Sequence, residues 1–201
     1  MLVFWKARLV LLAVPKTGTT ALEQALLPHA DAAILNPPRQ KHCTLRRYEA
    51  QLQGFFEQRG QHPMEVMAVI REPVGWLSSW YRYRSRDAIA GRPNSTRGIG
   101  FDAFVEAWLQ DDPPPFAKVG RQSRFVSGDD GRVGVDHLFS HAKLDEAVGF
   151  LEERVGVRLE PGRSNVSPAM TTELSPPIVA RLHAEAPEEF ALWRRVQASG
   201  R

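Results

Sequence analysis

Leu9-Val10-Leu11-Leu12-Ala13-Val14-Pro15-Lys16-Thr17-Gly18-Thr19-Thr20 decides how the chain is read. Leu9 to Val14 is continuously apolar and rich in Leu and Val, the pattern of a strand covered on both faces within a parallel sheet. Pro15 stops the strand. Gly18 tolerates backbone angles that a residue with a Cβ resists, and Thr19 or Thr20 suits the cap of a helix whose apolar positions are Leu22, Ala25 and Leu26. A strand that turns into a helix this way leaves N–H groups pointing outward. An anion there would meet those donors, the positive end of the helix dipole, the hydroxyls of Thr17, Thr19 and Thr20, and the Lys16 ammonium.

A second segment repeats the arrangement. Val66 to Ile70 reads as another buried strand, Arg71 sits at its carboxyl end, Pro73 suits the first position of a helix, and Ser79 falls inside that helix. Arg71 and Ser79 are therefore expected to close on one phosphate from two sides. Two such turns imply a ligand with two phosphates. Neither is a Walker A loop, which needs Gly-Lys-Ser/Thr after four intervening residues; here Lys16 precedes the only glycine of its turn.

Taken together, Lys16-Thr17-Gly18-Thr19-Thr20 and the Arg71/Ser79 pair resemble the sulfotransferases that use 3′-phosphoadenosine 5′-phosphosulfate (PAPS), and are closest to the carbohydrate-type and bacterial members. Weaker similarity runs through Lys143 to Val157, Asn165-Val166-Ser167 and Phe190 to Trp193. The resemblance implies that Lys16, Thr17, Gly18, Thr19 and Thr20 hold the 5′-phosphosulfate and that Arg71 and Ser79 hold the 3′-phosphate. It also implies transfer of the sulfonate to a hydroxyl or amine of a small-molecule or glycan acceptor, with release of adenosine 3′,5′-bisphosphate. Lys16 is the residue expected to offset negative charge on the bridging oxygen. No metal is demanded, because a transferring sulfonate carries less charge than a phosphoryl group.

For the base that accepts the acceptor's proton, His42 is the leading candidate, in a Lys41-His42 element followed by Thr44 that is similar to one in some of these enzymes. Glu23 and Glu49 are substitutes, since carboxylates fill the role in some relatives. Cys43 as a nucleophile lacks any supporting protease-like pattern. Two other function classes remain: a P-loop phosphotransferase, disfavoured by the missing Gly-Lys-Ser/Thr, and a non-catalytic protein that binds the nucleotide.

The rest of the sequence bounds these readings. At 201 residues and 43% apolar the chain suits a single domain over 1–201 with a substantial core. A formal charge of +3 is compatible with a polyanionic ligand, does not require nucleic acid, and by itself decides little. The single cysteine excludes an internal disulfide and fits a reducing compartment. The apolar stretch before Pro15 is interrupted by Lys6 and Arg8, so neither a signal peptide nor a membrane span is expected, and the protein is read as cytoplasmic. Arg82, Arg84, Arg86, Arg92 and Arg97 are expected to form a solvated face, with contact to an anionic glycan as the alternative. Trp76, Trp80 and Tyr83 are expected to pack into the core, with stacking of Trp76, Trp80, Tyr81 and Tyr83 on a sugar or aromatic acceptor as the alternative. Further strands are expected at Ala32 to Leu35 and Val133 to Phe139. Helices are expected at Leu45 to Arg59, with Tyr48, Leu52, Phe55 and Phe56 on one side, at Phe101 to Leu109, at Leu144 to Val155, and around Pro176 to Ala186 and Pro187 to Val196. Strands alternating with helices predict a three-layer α/β fold, P-loop-like, around a mostly parallel sheet.

Overall fold

The computed structural model describes residues 1–159, 170 and 172–198. The Asn165-Val166-Ser167 similarity lies outside these residues. The strands are β1 (Leu2–Phe4), β2 (Leu9–Leu11), β3 (Ala32–Ala33), β4 (Glu65–Ile70) and β5 (His137–Ser140), joined in one sheet in the order β3-β1-β2-β4-β5. The helices are α1 (Thr19–Leu26), α2 (Pro38–Lys41), α3 (Leu45–Tyr48), α4 (Gly54–Phe56), α5 (Pro73–Arg84), α6 (Phe101–Leu109), α7 (Gln122–Phe125), α8 (Leu144–Val155), α9 (Pro176–Glu185) and α10 (Pro187–Ala198).

The α/β class is as read, but the sheet is mixed. β2 pairs with β4 and β4 with β5 in parallel, whereas β1 is antiparallel to both β2 and β3. The reason lies in residues 1–8, where no strand is expected from the sequence. Trp5 to Arg8 form a tight turn in which Arg8 N–H donates to the Trp5 carbonyl at 3.2 Å and Arg8 takes a φ of 54°. That turn folds Leu2–Phe4 back on Leu9–Leu11, with Val3 opposite Val10.

Strand alternation divides the apolar residues between two cores. Val3, Val10, Val66, Ala68 and Ile70 face one side, where Leu45, Tyr48, Phe125, Leu192 and Val196 cover them. Leu2, Phe4, Leu9, Leu11, Met67 and Val69 face the other, under Leu22 and Leu26 of α1 and Ala147 and Leu151 of α8. Helices thus lie on both faces of the sheet. A third apolar cluster, beside the sheet, joins α5, α6, α9 and α10 through Trp76, Tyr81, Phe104, Trp108, Leu182 and Phe190.

Four expectations shift, the first being the strand read over Leu9 to Val14, whose regular pairing ends at Leu11. The helix read over Leu45 to Arg59 is α3 and α4 joined by five residues of wider π winding, Glu49–Gln53, and it ends where Gln58 and Arg59 adopt φ of 49° and 59°. The wider winding keeps Tyr48 and Phe56 buried and leaves Phe55 72% exposed. The strand read over Val133 to Phe139 narrows to β5, with Val133 making only an isolated antiparallel bridge to Ser127. Strand β3 keeps only Ala32 and Ala33. The helices at Phe101, Leu144, Pro176 and Pro187 begin where the sequence places them. Among the described residues no helix is long and apolar enough to cross a membrane.

Candidate functional site

Parallel neighbours end at the same edge of a sheet, about 4.8 Å apart. The carboxyl ends of β2, β4 and β5 therefore bring three segments side by side: the Pro15 to Thr20 turn, Arg71, and His141. Between them lies a cleft of about 500 Å³. Lys16, Gly18, Thr19, Thr20, His42, Arg71 and Ser79 all line it, together with Lys41, Trp80, Tyr83, Arg86 and His141. The two sequence turns thus border one cavity, at the crevice where ligands bind in open α/β sheets.

The first turn is built from unusual backbone. Lys16 has φ 69° and Gly18 φ 78°. A left-handed lysine costs roughly 1–2 kcal/mol, a strain stored at the head of the cleft. A side chain at Gly18 would be strained by that angle and would also meet His141, whose Cδ2 lies 3.1 Å from the position a Cβ would take. Helix α1 starts at Thr19 and no side chain caps it, which corrects the expectation of a threonine cap. Among the described residues the Thr19 and Thr20 N–H groups meet no acceptor, so the helix presents its donors to the cavity.

The threonine hydroxyls divide. Thr17 is fully buried and Thr19 is 3% exposed. Both donate to the Val14 carbonyl, at 2.8 and 3.3 Å. Their hydroxyls brace the turn from inside. Thr19 and Thr20 line the cavity, and Thr17 is not among its lining residues.

At the second turn the helix end is closed. The Glu72 carboxylate accepts from the Val74 and Gly75 N–H groups at 3.0 and 2.6 Å, so the first turn of α5 is capped by its own chain. What this turn offers an anion is side chains: Arg71, and Ser79 two turns along α5. The Arg71 side chain crosses the first turn of α5 at Gly75, where a Cβ would stand 3.3 Å from its Nε. The Trp76 indole N–H donates to the Pro15 carbonyl at 2.8 Å, tying α5 directly to the first turn.

The charge of the cavity is lopsided. Lys16, Lys41, Arg71 and Arg86 line it, and among the described residues no carboxylate does. Lys41 is neutralised by the buried Glu23 at 2.6 Å, which also places Glu23 in an ion pair behind the wall. Among the described residues Lys16, Arg71 and Arg86 have no ion pair. Burial lowers the Lys16 ammonium to about 8, helped by Arg86, Arg71 and Arg82. Burial, then the charge of Arg82, also lowers Arg71. The Lys16 Nζ rests 4.2 Å from the centre of the Tyr83 ring, and the Arg86 guanidinium carbon 4.9 Å from it. A cavity that holds more positive than negative charge together gains from an anion.

His42 Nδ1 lies 2.7 Å from the Ala13 carbonyl oxygen. A carbonyl only accepts, so the proton of the neutral ring sits on Nδ1 and Nε2 keeps its lone pair. Burial holds the ring below the usual histidine range, which preserves that neutral form. Of the three candidate bases, only His42 lines the cavity; Glu49 sits apart, its carboxylate beside Gly128, where burial and Asp129 raise it. Cys43 is buried, with its thiol pushed up by burial.

Several wall residues were assigned elsewhere by the sequence or passed over. Trp76 is core, as read; Trp80 packs against the same cluster and, with Tyr83, also forms the aromatic wall of the cavity. The basic run is not one solvated face: Arg86 enters the cavity, Arg84 is 8% exposed and donates to the Pro115 and Lys118 carbonyls, and Arg97 pairs with Asp87. The sequence gives no candidate at His141: the segment before it, His137-Leu138-Phe139-Ser140, alternates rather than forming the continuous apolar run that marks Arg71. Among the described residues no cluster of His, Cys, Asp and Glu is arranged to hold a metal. Comparison with protein-family models, curated proteins and solved structures finds no match, so the reading of this cavity rests on its geometry and chemistry.

Proposed function

We propose that the chain is a PAPS-dependent sulfotransferase that moves a sulfonate in line to a hydroxyl or amine and releases adenosine 3′,5′-bisphosphate. One observation carries this: a single cavity joins an uncapped helix end and an unpaired Lys16 to an Arg71/Ser79 pair, with His42 Nε2 as an unprotonated acceptor on the same wall. That is a grip for two separated phosphates with a base beside it. The P-loop-like, three-layer architecture belongs to the same proposal, supported by the β2-turn-α1 unit and the parallel β2-β4-β5 ladder.

In this reading the N–H groups of Thr19 and Thr20 and the Thr20 hydroxyl hold the 5′-phosphate, and Arg71 with Ser79 holds the 3′-phosphate. Lys16 leaves the Tyr83 ring to meet the charge that develops on the bridging oxygen as the sulfur–oxygen bond breaks. His42 Nε2 takes the acceptor's proton while the Ala13 carbonyl holds the Nδ1 proton of the resulting imidazolium. Trp80 and Tyr83 supply flat apolar surface for a nucleobase or an acceptor ring.

Calorimetry with adenosine 3′,5′-bisphosphate against ATP, followed by transfer assays with labelled PAPS over an acceptor panel, tests the proposal. The bisphosphate is expected to bind and ATP to bind far more weakly. Lys16→Ala is expected to lower turnover roughly 10²- to 10³-fold with the fold retained. His42→Ala is expected to lower it roughly 10²- to 10⁴-fold with bisphosphate binding unchanged. Tight ATP binding without bisphosphate binding would overturn the reading. Bisphosphate binding without transfer to any acceptor would reduce it to a nucleotide-binding protein.

A further inference from the structure

Arg71 reaches the cavity from a peptide that the sheet does not hold alone. It lies one residue past the end of β4. Its N–H donates to Gln122 Oε1 at 2.8 Å and its carbonyl accepts from Gln122 Nε2 at 2.8 Å. One side-chain amide therefore pairs with both polar groups of the Arg71 peptide, as a neighbouring strand would. Gln122 is 1% exposed, so a partner lost here is not replaced by water.

Gln122 is the first residue of α7, a helix of a single turn whose own flanking residue, Arg121, provides no side-chain cap. The cap comes from α10. Glu189, 2% exposed, accepts from the Gln122 N–H at 3.2 Å, the Ser123 N–H at 2.9 Å and the Ser123 hydroxyl at 2.5 Å. Three donors from two adjacent residues converge on one carboxylate. An amide at position 189 would have to turn an NH₂ toward one of them. The nearby Arg121 is paired with Glu188, so hydrogen bonds, not an ion pair, compensate the buried Glu189.

We propose that Gln122 and Glu189 are positioning residues that fix the Arg71 peptide and so aim its guanidinium at the phosphate remote from Lys16. Glu189 holds α7, α7 holds the Gln122 amide, and the amide holds Arg71. The positioning itself stands on the structure alone; only its consequence for nucleotides rests on the sulfotransferase reading.

Two measurements on the full chain test this, with thermal melting as the check on folding. The first follows amide hydrogen exchange by NMR. In Gln122→Leu the Arg71 amide is expected to exchange roughly tenfold faster or more, while the β4 ladder amides of Ala68 and Val69 keep their protection. Glu189→Gln is expected to give the same local change, smaller in size; should it not fold, Gln122→Leu decides. The second compares adenosine 3′,5′-bisphosphate with adenosine 5′-monophosphate. Gln122→Leu is expected to weaken the bisphosphate roughly tenfold and leave the monophosphate unchanged. Unchanged Arg71 exchange in folded Gln122→Leu, or an equal loss for both nucleotides, overturns the inference. A wild-type protein that binds neither nucleotide sinks the functional reading instead, and the exchange measurement still decides the positioning.

Discussion

Lys16 combines three features that rarely meet in one residue: a left-handed backbone, a cationic head against an aromatic ring, and an ammonium brought down to about 8. Their common cause is crowding. The turn forces the side chain into the cavity, where burial and the charges of Arg86, Arg71 and Arg82 disfavour the charged form. An anion in the cavity reverses that balance, so binding requires the protonated amine and raises its pKa. The sign follows: anion affinity is full below about 8 and falls as pH rises through it, with proton uptake on binding. Calorimetry with the bisphosphate, in buffers of different ionisation enthalpy, measures both. Lys16→Arg keeps its charge throughout and is expected to remove the fall; an identical fall in that variant would assign the titration to another group. The sequence marked Lys16, Gly18, Arg71 and Ser79 because residue type and spacing reveal where a cation or a turn is wanted. It could not reveal that the Thr17 and Thr19 hydroxyls bond back to Val14, since a hydroxyl's partner is set by where the backbone turns.

The elements follow local rules most closely where a breaker coincides with a change of period. Pro73 opens α5, and Gly156, at φ 75°, closes α8. The π winding after Tyr48 was illegible because a hydrophobic stripe at helical spacing does not distinguish a tight turn from a wide one. At α5 the Glu72 cap opposes two tendencies. It satisfies the Val74 and Gly75 N–H groups, and it places negative charge beside Arg71. Glu72→Ala is therefore expected to lower stability by about 0.5–2 kcal/mol while strengthening anion binding, because donors and positive charge are released together. Urea denaturation and bisphosphate titration of the same variant check the pair. A loss of both stability and affinity would mean that the cap serves to build the site rather than to hold the helix.

At the scale of the molecule, a thin sheet carries two cores, and the cavity lies at one end of it. Met67 is fully buried among Leu9, Leu11, Leu22 and Phe139 in the core under α1. Met67→Ala is expected to cost about 2–5 kcal/mol through lost burial and a residual void, read as a lower urea midpoint at unchanged slope. A smaller slope would point instead to a more compact unfolded state. The sequence alone determined the α/β class, the two strand-to-helix turns and most helix starts, because those depend on short apolar runs, breakers and caps that act within a few residues. Tertiary structure alone decided the strand neighbours, the antiparallel β1, and the arrival of His42, Tyr83, Arg86 and His141 at one cavity. Strand order is a contest between distant segments for the same hydrogen-bonding edge, and it is settled by the burial of both faces at once.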